Sequence, residues 1–458
     1  MKKIFQYIAL VTLITFVACG KSKFLDQVSS SSFYVPKTIE DFEKLLENEN
    51  LFSQTHSLVV ISADQFYFTD PFLKDMDNAE RRAYTWDPII FQSEEVTDDW
   101  IVPYTQITTA NEVLTGLDKT PKNQSNLKKI AYLEGAARFL RAYGFHNLSQ
   151  CFVPLYDSAI ADLKWGIPLR KTSDINEVST RSTIQQTYDE IINDLVHAAQ
   201  LLPEKIDFLH PNRPSRPAAF AALARVHLSM RQYSKAGAYA DSCLQLYNTL
   251  IDFNSIDPSN NTPFTPTNEE TLYQSRLFSS SSLISGIVSG GCFIDSLLYR
   301  SYAPNDLRRS IFFSVWPDGK VSPKGSFYGN IVCFMGLGVS EIFLIRAECY
   351  ARAGLTAPAL ADLNTLLQER WRNDYFVPVS ANNSADALKI ILTERNKELV
   401  LRGQRWSDIR RLNREHPTIY LSRFVNGQQY VLQPNDSSYV LPIPQKVIKL
   451  TGMAQNPR

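Results

Sequence analysis

The chain has 458 residues, with 47 Lys and Arg set against 47 Asp and Glu, so its formal net charge is zero. No net field draws it to nucleic acid or to an anionic membrane surface. A content of 44% hydrophobic and 21% charged residues is that of a folded chain, and 12% aromatics can furnish both a large core and flat binding surfaces.

In chain order, Lys2 and Lys3 precede a mostly apolar run from Ile4 to Ala18. That run is too short for a bilayer core, which needs about 20 helical residues. A positive end, a short apolar middle and small residues make the layout of a secretory signal. The ending Phe16-Val17-Ala18-Cys19-Gly20 resembles the bacterial lipobox, which implies a signal over 1–18, acylation of the Cys19 thiol, and an anchor with a Ser-rich flexible tether over 19–37. The neighbouring Gly20-Lys21-Ser22 is no phosphate loop, because position 15, where that loop needs a glycine, is threonine.

Thr38 and Asp41 have capping spacing, and Ile39, Phe42, Leu45 and Leu46 recur at helical spacing, which predicts a short helix to Leu51. The stretch 52–104, with Pro71, Pro88 and Pro103, reads as long ordered loops entering a helix near Trp100. Helical periodicity then strengthens. Over 126–152 the residues Ile130, Leu133, Ala137, Leu140 and Phe145 form a stripe beside the small Gly135 and Ala136. A second helix runs from about Thr183 to Leu202, opens with Ser182 and Gln185, and stops at Pro203.

Residues 217–246 and 340–370 each read as two helices joined by a tight turn, with Ala224, Tyr233, Ala236 and Ala240 in one and Ala347, Gly354, Ala359 and Leu363 in the other. The spacing resembles tetratricopeptide repeats. It suits either a partner-binding solenoid or a scaffold packed on itself, and degenerate copies separated by long insertions favour the scaffold. Between them, 250–335 is rich in Ser, Gly, Asn and Pro, with short strands expected in ETLYQSRLF and SLISGIVSGGCF. So much irregular chain within a compact protein usually forms a binding surface.

With Cys19 set aside, the cysteines at 151, 243, 292, 333 and 349 contain no C-x-x-C pair, so neither a disulfide framework nor a zinc site is expected, and Cys243 and Cys349 read as buried small apolar residues. Histidines 56, 146, 197, 210, 227 and 416 show no metal-ligand spacing and read as surface or hydrogen-bonded core, and no G-x-S-x-G elbow occurs. Glu394 and Glu398 share a helix face and could form an acid/base pair. The arginines at 395, 402, 405, 410 and 411 make a locked charged cluster the better reading.

The C-terminal stretches ILTERNKELVLRGQRWSDIRRLN (391–413) and YVLPIPQKVIKLTGMAQNPR (439–458) are the most specific. Together with the lipobox followed by Phe24-Leu25-Asp26, they resemble the SusD/RagB family of Bacteroidetes outer-membrane nutrient-binding lipoproteins. The family's Glu-Arg-x-x-Glu-Leu and Gly-x-Arg-Trp-x-Asp pattern falls on Glu394, Arg395, Glu398, Leu399, Gly403, Arg405, Trp406 and Asp408, and its Pro-Ile-Pro and Gln-Asn-Pro ending falls on 442–444 and 455–457. Trp100, Tyr104, Ile107 and Asn111 match its first repeat-like helix, so Trp100 is assigned to packing.

This resemblance implies a mainly α, SusD-like fold forming one domain over 38–458, with a few short strands. A tetratricopeptide-like scaffold at about 100–250 and 337–413 would carry loop-rich ligand regions at about 52–100 and 250–335. It further implies a non-catalytic protein without cofactor or metal, lipid-anchored at the outer membrane and facing outward. Such a protein binds oligosaccharides and delivers them to a SusC-like TonB-dependent transporter; alternatives are a peptide or other nutrient ligand, or an assembly factor without a small ligand. Flat aromatic rings cover sugar faces while polar side chains bond the hydroxyls. On that chemistry the candidate contacts are Asp64, Phe66, Tyr67, Arg81, Tyr84 and Trp86, with Trp316, Phe327 and Tyr328 lining the same cleft; the competing reading makes Trp86 and its neighbours loop anchors in the core.

Overall fold

The long helices begin where the sequence offers a cap. In the computed structural model, which describes residues 36–174 and 176–458, α1 (Ile39–Leu46) opens on a reciprocal capping box between Thr38 and Asp41. Cys19, the signal and the tether up to residue 35 lie outside the described residues. Thr97 caps α2 (Asp98–Lys119), and α3 spans Leu127–Phe152. α4 (Ile184–Leu201) is capped by Thr183 with Gln186, one residue beyond the expected pair, because Ser182 instead donates to the Ile167 carbonyl. α5 (Arg216–Ser229) starts at Ser215 and Pro217, where a missing N–H costs nothing. There follow α6 (Tyr233–Leu246), α7 (Val339–Arg352), α8 (Thr356–Gln368), α9 (Ser384–Glu398) and α10 (Arg405–Glu415).

From α2 to α8 each helix packs on the next in chain order, and α9 closes on α7. α6 abuts α7 even though residues 247–338 intervene, so that stretch is an excursion from a continuous helical frame. Small residues set the close approach. A Cβ on Gly135 would lie 2.9 Å from Leu201 Cβ, and Ala218, Ala219, Ala221 and Ala224 of α5 are fully buried. The stripe expected on α3 is buried in full. Each large apolar side chain so buried contributes about 1.5–3 kcal/mol before entropy is counted.

Strand pairing among the described residues is confined to two-stranded pieces. ETLYQSRLF supplies the expected strands, Thr271–Tyr273 and Arg276–Leu277. SLISGIVSGGCF differs. Ser281 caps a helix over Ser282–Ser289, Gly290 ends it at φ +72°, and only Cys292–Ile294 is extended. Leu283, Ile284 and Ile287 share a helical face, which overrides the β-branched composition. Residues 52–97 likewise hold short helices at Leu58–Ile61, Asp70–Asp75 and Asn78–Tyr84 as well as loops.

Two buried carboxylates tie the loops to the frame. Asp99, at the start of α2, accepts the backbone N–H groups of Ser57 (2.9 Å) and Leu58 (3.0 Å). Glu80 accepts the Ser57 hydroxyl at 2.5 Å and the Ser282 N–H at 2.6 Å, which joins the 57–86 loop to the middle excursion. Burial pushes the Asp99 carboxyl up to about 7. The five cysteines from 151 to 349 are free and buried, and no described helix is long and apolar enough to cross a membrane.

Candidate functional site

The C-terminal motif builds a buried charge seam. Arg308 bonds Asp306 (2.7 Å), Glu394 (2.6 Å) and Glu398 (3.2 Å), and Arg370 bonds Glu398 (3.0 Å) and Glu270 (2.5 Å). Burial raises the Glu398 pKa, but Arg370, Arg308 and Arg402 outweigh it and hold the carboxyl well below its usual range. Glu394 and Glu398 are both locked in ion pairs, as the cluster reading expects, although their partners are Arg308, Arg370 and Lys397 and not the arginines of the motif. Those arginines go elsewhere: Arg395 and Arg411 to Asp408, Arg411 also to Glu348, and Arg405 to Asp64.

The six expected ligand contacts do not assemble into one surface. Asp64 is held in a bidentate pair by Arg405, at 2.7 Å for both bonds. Phe66 and Tyr84 are core residues, and the Tyr84 hydroxyl accepts the Phe68 N–H at 3.1 Å. Trp86 is buried, with φ +55° and its indole N–H donating to the Ser62 carbonyl at 3.0 Å. The Arg423 guanidinium lies over both rings, 3.7 Å from Tyr84 and 4.6 Å from Trp86, which fills the faces a sugar would need. Arg81 is half-buried and reaches Asn78 Oδ1 at 2.7 Å. In the second group, Phe327 is buried beneath Arg402, and Tyr328 donates to Glu49 at 3.1 Å.

Tyr67 is different, and strand alternation explains why. In Phe66–Phe68 the outer two rings point inward and Tyr67 points out, 37% exposed. The strand pairs antiparallel with Cys292–Ile294 and sets Tyr67 opposite Phe293. Their rings lie 5.9 Å apart, and Phe293 meets Trp316 edge-on at 5.7 Å and 86°. Trp316 opens the turn Trp316-Pro317-Asp318-Gly319-Lys320 between strands Phe313–Val315 and Val321–Pro323 and is 42% exposed. Its indole N–H donates to Ser322 Oγ at 2.9 Å, which fixes the ring. Gly290 makes room for it: a Cβ there would lie 2.8 Å from Trp316 Cη2.

Polar groups edge this aromatic row. Lys320 Nζ is 2.7 Å from Asp318 and 5.3 Å from the Phe293 ring centroid. Burial, aided by Asp318, raises the Tyr67 phenol above its ordinary value against the pull of Lys320, and its hydroxyl makes no hydrogen bond among the described residues. Two exposed aromatic faces with a hydroxyl, an ammonium and a carboxylate beside them can stack on and hydrogen-bond a polyol. Sequence reasoning reached Tyr67 and Trp316 but missed Phe293, Asp318 and Lys320. The Pro-Asp-Gly turn signature at 317–319 was the available signal. Among the described residues no group of three or more His, Cys, Asp or Glu could hold a metal.

Residues 23–228 match a family model described as "Starch-binding associating with outer membrane", and residues 337–458 match the model of the SusD family. Phe293 and Trp316 fall between the two matches. No curated protein matches the chain. Among solved structures, a SusD superfamily protein from Bacteroides thetaiotaomicron has a TM-score of 0.75 at 20% identity, covering 92% of this chain and 100% of its own. A SusD superfamily protein from Bacteroides vulgatus gives 0.74 at 20%, covering 92% and 99%. A SusD-like carbohydrate binding protein from the same organism gives 0.68 at 19%, covering 90% and 96%. With family models on both halves of the helical frame and the fold shared along most of its length, this chain belongs to the SusD/RagB family.

Proposed function

We propose that the protein is a lipoprotein of the outer membrane, attached through Cys19 and facing outward, that captures oligosaccharides on the Tyr67–Phe293–Trp316 surface and passes them to a SusC-like TonB-dependent transporter. The reading treats 38–458 as one domain whose helical frame carries the loops. The observation that supports it is the pair of exposed rings propped on one buried ring, with the Tyr67 hydroxyl and the exposed Lys320–Asp318 pair at the edge. Stacking and hydroxyl bonding suffice for capture, so the role is non-catalytic and needs neither metal nor cofactor. Asp318 offsets Lys320, which favours neutral sugars over polyanionic ones.

A glycan array followed by calorimetric titration, run beside a peptide panel, tests the ligand class. Oligosaccharide binding with no peptide signal is expected, and the reverse pattern rejects the glycan assignment. Extraction in mild detergent should co-purify a large outer-membrane barrel, and mass spectrometry should find a diacylglyceryl thioether on Cys19.

A further inference from the structure

A second concavity, of about 500 Å³, lies on another part of the molecule, between residues 154–165, the end of α10 and the chain end at 435–457. Tyr67, Phe293 and Trp316 do not line it. Its volume falls in the range of small-molecule sites, about 300–1,000 Å³. One wall is apolar yet left in water: Leu163 is 80% exposed and Trp165 53%. Two large side chains held out together beside a cavity mark a contact surface more than chance exposure.

The floor carries a cation without an acid. Arg410 is buried, and its guanidinium donates to the carbonyls of Gln150 (2.9 Å) and Val153 (2.6 Å). No carboxylate pairs with it among the described residues. Burial lowers its pKa, and the nearby Tyr188, Cys151 and Tyr439 only partly offset that. Arg181 and Arg423 are also buried without an acid, but each bonds three backbone carbonyls. Arg410 bonds two, so donors of its five-donor fork are left over where it lines the cleft. Arg414, half exposed at the edge, pairs with Asp157 at 2.6 Å and adds positive potential. A buried cation is stabilised by an anion that can reach it. Lys164 also lines the cleft, and with Asp157 and Asp436 set against Lys164, Arg410 and Arg414 the lining carries one net positive charge, which matches a ligand with a single negative one.

We infer that this cleft binds a small molecule bearing a single carboxylate on an apolar body, with the carboxylate toward Arg410 and Arg414 and the body against Leu163 and Trp165. Fatty acids and the free C-termini of apolar peptides share that chemistry. The site is separate from the aromatic surface and does not depend on the glycan reading.

Calorimetric titration of the full-length protein with hexanoate and N-acetyl-Leu-Leu, each beside its neutral amide, tests the inference. At least one acid should bind about ten-fold more tightly than its amide, the margin of one charge-assisted hydrogen bond. Hexanoate alone would point to acyl chains, and the peptide acid alone to peptide termini. Trp165→Ala with Leu163→Ser should weaken binding about ten-fold, while Trp316→Ala leaves it unchanged. Arg410 also staples two carbonyls, so its loss could unfold the protein; Arg414→Gln, at the exposed edge, should weaken the acids and spare the amides. Equal binding of acid and amide, or no binding of either acid at millimolar concentration, overturns the inference.

Discussion

The seam around Arg308 and the surface around Trp316 use charge and aromatic rings in opposite ways. In the seam, buried cations and carboxylates pair with one another, and of the Glu270 carboxylate only one oxygen is left without a hydrogen-bond partner among the described residues. On the surface, rings are only half covered, and the Tyr67 hydroxyl has no partner among the described residues. The C-terminal motif, the most specific stretch of the sequence, therefore builds stability. The less distinctive turn at 316–320 presents the exposed Trp316 ring on which the proposed contact surface rests.

Removing one member of the seam should have the largest effect. Arg308→Met takes one buried cation from Asp306, Glu394 and Glu398 and leaves them only Lys397 and Arg370, and urea unfolding should show a loss of about 3–5 kcal/mol. A loss below about 1 kcal/mol would erase the distinction drawn between the two regions.

Acidity probes the contacts that tie the loops to the helical frame. His56 and His146 are buried, and burial depresses their pKa values to about 4 and about 3. Their contribution is present above the unfolded value of 6.5 and is lost as pH falls through those folded values. Asp99 acts in the opposite sense. Its folded pKa of about 7 exceeds the unfolded 3.8, so its contribution is complete below 3.8 and is lost as pH rises through about 7. Asp99→Asn keeps an acceptor for the Ser57 and Leu58 N–H groups, and thermal melts should then show stability climbing more steeply from pH 4 to 6.5 than in the parent. An unchanged slope removes Asp99 from the account.

Smaller changes sharpen the surface side. Gly290→Ala sets a methyl against Trp316 at a left-handed backbone position and should cost about 1 kcal/mol in stability while weakening sugar binding. Tyr67→Phe removes one hydroxyl and should weaken binding about five-fold with no change in melting temperature. A variant that melts normally and binds normally would take Tyr67 out of the site.

The frame was legible because helical spacing over α3 to α8 repeats the same stripe many times, and local caps agree with it. The capping box at Thr183 was misplaced by one residue, since Ser182 and Thr183 are chemically alike and only tertiary contacts choose between them. The helix over Ser282–Ser289 was missed because Ser and Gly among β-branched residues resemble a strand until the Ser281 cap and the Gly290 stop are both seen. The site was half legible. Composition drew attention to 62–86, but an aromatic residue carries no mark of which way it points. Alternation in a three-residue strand turned Tyr67 outward and its neighbours inward. Arg423, more than 300 residues away in sequence, then filled the faces of Tyr84 and Trp86. His56 also departs from expectation: it is buried, and neither ring nitrogen has a hydrogen-bond partner among the described residues.

Calorimetric titration of the best glycan-array hit against the parent and Trp316→Ala tests the central claim most directly. The account predicts a loss of about 2 kcal/mol, roughly thirty-fold in affinity, with the unfolding midpoint unmoved. Equal affinity for parent and variant would contradict it and place sugar capture somewhere other than the Tyr67–Phe293–Trp316 surface.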